Sequence, residues 1–349
     1  MSADAFREKL LVIGPAWVGD MVMAQSLFMV LKEQYSHCSI TVMAPSWTRP
    51  LLDRMPQVTA SLDAELSSGE LALGRRRQLG RALRTEGFTR AFVLPNSFKS
   101  ALIPFHAGIP IRTGWRGEWR QPLLNDCRKL DKSALPRMVD RFVALAYPYK
   151  DRLPVQVPSP QLEVEAGQVA RVLQQFNLPA NERVIGICPG AEFGESKQWP
   201  ARYFAELVNQ LAEEGWHFWF LGSAKDQLIT ESILADVEPD HLPLCQNLTG
   251  ATSLDQVVDL LSCVRAVVSN DSGLLHVAAA MGKAVTGLYG STTPDFTPPL
   301  TDRSRTLAID IECRPCFKRQ CPYGHLRCLT RLKPELAITA TRELVSGSY

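Results

Sequence analysis

Between positions 266 and 281 the chain reads Ala-Val-Val-Ser-Asn-Asp-Ser-Gly-Leu-Leu-His-Val-Ala-Ala-Ala-Met. The apolar run Ala266-Val267-Val268 has the pattern of a buried strand, and Val277 to Met281 fits only a helix. A strand that becomes a helix through Asp271-Ser272-Gly273 leaves several backbone N–H groups without intrahelical partners at one point. Together with the positive end of the helix dipole they form a seat for an anion such as phosphate. Asp271 or Ser272 can cap the helix, and Gly273 lets a ligand approach the backbone. His276 falls about one turn in, on the face near the same opening. The same residues also describe an ordinary capped helix carrying a surface histidine.

The strand–turn–helix unit recurs along the chain. Leu10-Leu11-Val12-Ile13 ends in Gly14-Pro15, and helical apolar spacing runs from Met21 to Gln34. A strand at 40–44, a helix through Arg75 to Arg84 and a strand at 91–94 follow, the last ending in Pro95-Asn96-Ser97. After a stretch rich in Pro and polar residues at 147–160, the alternation begins afresh with Val184-Ile185-Gly186-Ile187-Cys188. Further strands are expected at 217–221, 266–268 and 284–289, with helices after Pro200, after Asp226 and over 253–263. Alternation of this kind predicts an α/β fold with parallel sheets, which bind ligands beyond the carboxyl ends of their strands.

At 349 residues the chain fits two domains better than one. The expected boundaries are 1–155 and 161–330, with a final helix over 334–349 that could cross back onto the first domain. Two such domains with open strand ends would place a cleft between them.

No apolar run approaches the roughly 18 residues needed to span a bilayer. Met1 to Lys9 is polar and mixed in charge, with no signal-peptide core behind it, so a cytoplasmic protein is expected. The net charge of +2 is uninformative, but its distribution is not. Arg75, Arg76, Arg77, Arg81 and Arg84 form one basic cluster; Arg112, Arg116, Arg120, Arg128, Lys129, Lys132, Arg137 and Arg141 form another. Such clusters are either solvated faces or faces that meet an acidic partner. No nucleic-acid module accompanies them, which argues against nucleic acid.

The turn Gly14-Pro15-Ala16-Trp17-Val18-Gly19-Asp20 is neither a dinucleotide fingerprint nor a Walker loop. Asp20 stands where a Walker lysine would be. A carboxylate there would repel phosphate, yet it could accept a proton from a hydroxyl as general base. It also fits an N-cap or first-turn residue, and a helix start that stabilises the carboxylate makes it a weaker base. Lys197, in the loop after the strand 184–188, can neutralise a leaving diphosphate. With Gly190, Ser223 and the turn at Asp271-Ser272-Gly273 it describes a nucleotide site in the second half. No Asp-x-Asp pair occurs, so a dedicated carboxylate site for Mg²⁺, or any required cofactor, is not indicated.

Four of nine cysteines fall late, at Cys313, Cys316, Cys321 and Cys328, with His325 among them. The Cys313-x-x-Cys316 pair has metal-ligand spacing, whereas the later separations match no standard ribbon or finger. Free thiols in an ordered loop and a structural zinc are the two readings.

The chain resembles the ADP-heptose:lipopolysaccharide heptosyltransferases of glycosyltransferase family 9. The likeness is carried by Leu11-Val12-Ile13-Gly14-Pro15 through Trp17-Val18-Gly19-Asp20-Met21, Val42-Met43-Ala44-Pro45 and Arg49-Pro50-Leu51-Leu52. It continues through residues 93–100, 112–118, 188–194, 222–226, 270–276 and 291–299. It runs in register from about residue 10 to 300, leaving the cysteine-rich tail outside.

The resemblance implies a glycosyltransferase B fold of two Rossmann-like domains, with the acceptor on the first and the nucleotide-sugar on the second. The implied reaction moves L-glycero-D-manno-heptose from ADP-heptose to the first heptose of the lipopolysaccharide inner core, with inversion. The implied acceptor is a phosphorylated lipid A–Kdo–heptose at the cytoplasmic face of the inner membrane, where the protein would sit peripherally. Asp20 matches the family's general base and Lys197 its diphosphate lysine. Asp271, Ser272, Gly273 and His276 match the ADP-binding turn. Asn96, Ser97 and Lys99 would face the acceptor, and Arg116 and Arg120 its charged groups. Some relatives carry hydroxyl residues before the lysine where this chain has Glu192 and Phe193, so phosphate contacts there would come from backbone N–H groups.

A sister transferase adding the first or a later heptose is not separated by sequence. A nicotinamide-dependent oxidoreductase lacks its Gly-x-Gly-x-x-Gly, and a non-catalytic sugar-nucleotide binder would need no base at Asp20.

Overall fold

The computed structural model describes residues 8–64, 66, 70–151, 153, 156–179 and 183–347. Most of the polar N-terminus and positions 152, 154 and 155 of the expected linker lie outside them. The chain divides into two compact units, residues 1–160 and 161–349. Among the described residues no helix is long and apolar enough to cross a membrane.

The first unit is built on strands β1 (Lys9–Ile13), β2 (Ser39–Ala44), β3 (Ala60–Asp63), β4 (Arg90–Val93), β5 (Ile111–Trp115) and β6 (Asp126–Arg128). Their order is β3-β2-β1-β4-β5-β6, and every pair is parallel. Leu10, Leu11 and Val12 of the central β1 are fully buried, as expected where helices cover both faces of a parallel sheet. The helix Val18–Gln34 is apolar around most of its circumference and buries Met21, Val22, Leu27, Phe28 and Leu31. Its two buried polar residues are satisfied: Gln25 Nε2 donates to Gln57 Oε1 at 3.0 Å, and Ser26 Oγ to the Pro158 carbonyl at 2.6 Å.

The second unit repeats this plan. Strands β7 (Val184–Cys188), β8 (His217–Phe220), β9 (Cys245–Asn247), β10 (Ala266–Asn270), β11 (Ala284–Tyr289) and β12 (Ser304–Ala308) are ordered β12-β11-β10-β7-β8-β9, again all parallel. The helix Ala201–Ala212 covers one face with Phe204, Leu207, Val208 and Leu211, and Trp199 is fully buried beside it. In both units the strand order reverses once, between β1 and β4 and between β7 and β10. A doubly wound sheet opens its ligand crevice at such a reversal.

The last helix, Pro334–Ser346, packs on the sheet of the second unit, against β10, β11, β12 and the helix Ala201–Ala212. Ala337 and Ile338 join the core there, and Thr341 Oγ1 meets Thr286 Oγ1 at 2.9 Å. Its apolar face is thereby packed inside its own unit.

Candidate functional site

In the first unit a cavity of about 440 Å³ opens at the β1/β4 reversal. Asp20, Asn96, Ser97 and Lys99 share its wall, with Trp17, Trp47 and Trp115 among the apolar lining. Asp20 is the third residue of the helix Val18–Gln34, whose N-cap Trp17 makes no side-chain capping bond. The loop after β4 is held from behind: Ser100 Oγ donates to the Pro95 carbonyl at 2.9 Å, and Phe98 N–H to Glu118 Oε2 at 2.9 Å.

Arg120 does much of that holding, in place of the acceptor contact expected of it. Its side chain is fully buried. It donates to the carbonyls of Trp115 and Pro95, to Ser100 Oγ at 3.2 Å and to Asn96 Oδ1 at 3.2 Å. Burial draws the guanidinium down to about 10, so it stays charged at neutral pH.

Arg112 and Arg128 of the same cluster are likewise turned inward, whereas Lys129 and Lys132 are exposed. Arg112 donates to the Leu123 carbonyl at 2.8 Å, Arg128 pairs with Asp126 at 2.6 Å, and Arg137 pairs with Asp140 at 2.7 Å. The short polar strands β5 and β6 need these guanidiniums to satisfy loop carbonyls, because buried carbonyls left unpaired are costly. Arg116 is exposed and outside the cavity wall. In the other cluster Arg76 is buried, with its guanidinium on the carbonyls of Leu71, Glu70 and Lys99. Arg77, Arg81 and Arg84 are exposed. Burial, followed by those three charges, holds the His106 imidazole below its ordinary value.

In the second unit the β7/β10 reversal gathers Lys197 and Asp271. Lys197 Nζ lies 2.6 Å from Asp271 Oδ2 and 3.2 Å from its carbonyl oxygen. Thr292 Oγ1 donates to the same carboxylate at 2.6 Å, and Thr297 Oγ1 approaches it at 3.5 Å. Asp271 therefore faces inward, as a holder of Lys197. The helix Gly273–Ala280 starts at Ser272, which makes no side-chain capping bond; its hydroxyl lies 3.2 Å from Ser269 Oγ. The first-turn N–H groups thus lack a side-chain cap, the condition for an anion seat.

His276 stands beside Asp271, with its Nε2 4.0 Å from Oδ1 of that carboxylate. It is 4% exposed, and its Nδ1 is a buried atom with no partner among the described residues. Burial pushes the imidazole down to about 4, against the pull of Asp271 and with the repulsion of Lys197, so it is neutral at physiological pH.

Gly190 and Ser223 are brought together through Asp226. A side chain at Gly190 would collide with the Asp226 carboxylate. Ser223 donates both its N–H and its hydroxyl to Asp226 Oδ2, each at 2.8 Å, closing a capping box. The glycine makes room for Asp226, and the serine hydroxyl already serves the cap.

Sequence reasoning missed Thr292 and Asn270. Asn270 Oδ1 accepts from Trp199 N–H at 3.1 Å and its Nδ2 donates to the Pro189 carbonyl at 2.6 Å, stitching the β7 and β10 ends together. Its place as the last residue of a buried strand was the available signal.

The late cysteines line a second, small cavity of about 20 Å³ with Arg314, His325, Ser196 and Ser291. All nine cysteines are free thiols. Among the described residues no three His, Cys, Asp or Glu side chains stand ready as a closed metal cage.

The profile of glycosyltransferase family 9 (heptosyltransferase) matches residues 76–327. The chain is 46% identical over 342 residues to lipopolysaccharide heptosyltransferase 2 of Escherichia coli K12, covering 97% of this chain and 98% of that one. It is 47% identical to the enzyme of the same name from Salmonella typhimurium LT2, covering 97% and 99%. The solved structure of E. coli ADP-heptose LPS heptosyltransferase II superposes with a TM-score of 0.88 at 45% identity, over 97% of this chain and 99% of that one.

Proposed function

We propose that this chain, which belongs to glycosyltransferase family 9, transfers L-glycero-D-manno-heptose from ADP-heptose to the first heptose of the lipopolysaccharide inner core. The names borne by its relatives at 46% and 47% identity support the acceptor class, and the similar E. coli ADP-heptose LPS heptosyltransferase II supports the donor. The observation that carries the chemistry is the cavity at the β1/β4 reversal, where Asp20 shares a wall with Asn96, Ser97 and Lys99.

In this reading Asp20 takes the proton of the acceptor hydroxyl as that oxygen attacks the anomeric carbon. The bond from that carbon to the β-phosphate oxygen breaks, and ADP leaves with the electron pair. Attack from the face opposite ADP inverts the configuration. Lys197 and the N–H groups at Gly273 stabilise the charge gathering on ADP, and no metal or cofactor is assigned a step. Asp271 keeps the lysine ammonium in place before the diphosphate arrives. Asn96, Ser97 and Lys99 orient the acceptor sugar. The acceptor is a phosphorylated lipid A–Kdo–heptose, so the protein works peripherally at the cytoplasmic face of the inner membrane. The exposed Arg77, Arg81, Arg84 and Arg116 suit an anionic lipid surface.

The test is to incubate the purified chain and ADP-heptose with lipopolysaccharide truncated after one heptose. Release of ADP with a gain of one inverted heptose is expected. Transfer only to an acceptor lacking heptose, or only to one already carrying two, would overturn the assignment in favour of a sister enzyme.

A further inference from the structure

The segment from Cys313 to Cys328 plays no part in the transfer chemistry above, yet it is tied to the loops that carry it. Phe317 N–H donates to the Ser291 carbonyl at 2.9 Å, and Ser196 N–H to the Arg319 carbonyl at 3.3 Å. Ser196 Oγ lies 2.9 Å from Ser291 Oγ and also bonds the Lys318 carbonyl. Arg314 Nε donates to the Gly290 carbonyl at 2.9 Å. Gly194 sits at φ 145°, and a side chain there would strike the Arg319 carbonyl. Residues 314–319 therefore clamp the loop bearing Lys197 to the loop bearing Thr292.

Cys313, Cys316, Cys321 and Cys328 all line one cavity of about 20 Å³, room for a single small occupant. Cys321 Sγ lies 3.9 Å from His325 Nδ1 at the edge of this cavity. Arg314 Nη2, in the wall of the same cavity, is buried with no hydrogen-bond partner among the described residues. His325 Nδ1 accepts from Arg327 N–H at 3.0 Å, which orients the ring beside the four sulfurs.

We infer that Cys313, Cys316, Cys321 and Cys328 form a tetrathiolate site for one thiophilic divalent metal ion of the Zn²⁺ class, which locks residues 313–328 against the Lys197 loop. The four thiols border the cavity without converging on a common point, and binding would close them to the roughly 2.3 Å of a zinc–sulfur bond. Four thiols give up four protons to the solvent as four metal–sulfur bonds form. The resulting site carries two negative charges, which the Arg314 guanidinium faces.

Elemental analysis of the purified full chain, paired with alkylation mapping, tests this. About one zinc or iron per chain is expected, with these four cysteines protected from maleimide until a strong chelator is added. Cobalt titrated into the chelated protein is expected to develop thiolate charge-transfer absorption. Cys316→Ser combined with Cys321→Ser is expected to abolish the stoichiometric metal. If that variant fails to fold, the mapping on the unaltered chain decides. A metal-free chain whose four thiols react equally with and without chelator, or a disulfide within 313–328, overturns the inference. None of these readouts depends on the donor assignment. A raised KM for ADP-heptose after chelation would follow only if both hold.

Discussion

Lys197 and Asp271 stand 74 residues apart in sequence and 2.6 Å apart in the fold, with side chains 13% and 3% exposed. A pair this buried is held chiefly because each charge would be costly alone. Asp271→Asn leaves the ammonium without its counter-charge, and a loss of about 3 kcal/mol is the expected order. Chemical denaturation reads it directly. Lys197→Ala leaves Asp271 the hydroxyls of Thr292 and Thr297, so a smaller loss of stability accompanies a fall in kcat of about 10²–10³. Equal loss of stability in the two variants, with kcat intact in Lys197→Ala, would remove the lysine from the chemistry.

Asp20→Asn keeps the shape of the cavity wall and removes the proposed base. Turnover is expected to fall by about 10²–10⁴ while ADP-heptose affinity, measured by calorimetry, stays unchanged. Unchanged turnover would return Asp20 to the role of a first-turn residue.

Arg120 and Arg116 should separate cleanly. Arg120→Ala strips four acceptors of their donor in a fully buried place, and destabilisation of roughly 3 kcal/mol or more is expected, visible as a lower Tm. Arg116→Ala should leave stability within about 0.5 kcal/mol, so any rise it causes in acceptor KM reports contact and not folding.

His276 sets an acid limit on stability. Its folded imidazole, near 4, lies below its ordinary 6.5, so between those values the unfolded chain binds a proton that the native chain refuses. Stability is therefore full above 6.5 and falls with decreasing pH, by about 3 kcal/mol across the window. His276→Gln should flatten that limb in urea unfolding curves taken at about pH 7 and about pH 4.5. An identical slope in both proteins would place the acid sensitivity elsewhere.

Gly190→Ala pushes a methyl group into the Asp226 carboxylate and should break the cap at Ser223, costing about 1–3 kcal/mol. Ser223→Ala removes only the hydroxyl arm of that cap, at about 1 kcal/mol. A rise in ADP-heptose KM for Ser223→Ala at unchanged Tm would restore the serine to donor binding.

The central strands were legible because both their faces are buried. Runs such as Leu10 to Ile13 and Ala284 to Tyr289 carry that burial as unbroken apolar sequence, and their Gly, Pro and Asn endings mark the site. The outlying strands β3, β5, β6, β9 and β12 were not legible. Asp126–Arg128 and Cys245–Asn247 are short and polar, and become strands only because a neighbour offers hydrogen bonds. The inward turn of Arg120 was invisible for a related reason. Its partners are carbonyls, which carry no signature in sequence, so a buried guanidinium and a solvated one read alike. Asp271 and Lys197 were each named, but their pairing depends on where two loops meet.

The shared strand order of the two units also bears on how such a chain can change over time. A reversal point follows from the path of the backbone, and survives replacement of nearly every side chain around it. On the proposed function, residues near β1 and β4 are free to drift toward a different sugar acceptor while the turn at Asp271 keeps its nucleotide. In that reading, one plan used twice separates what is recognised from what is donated, and lets selection act on each alone.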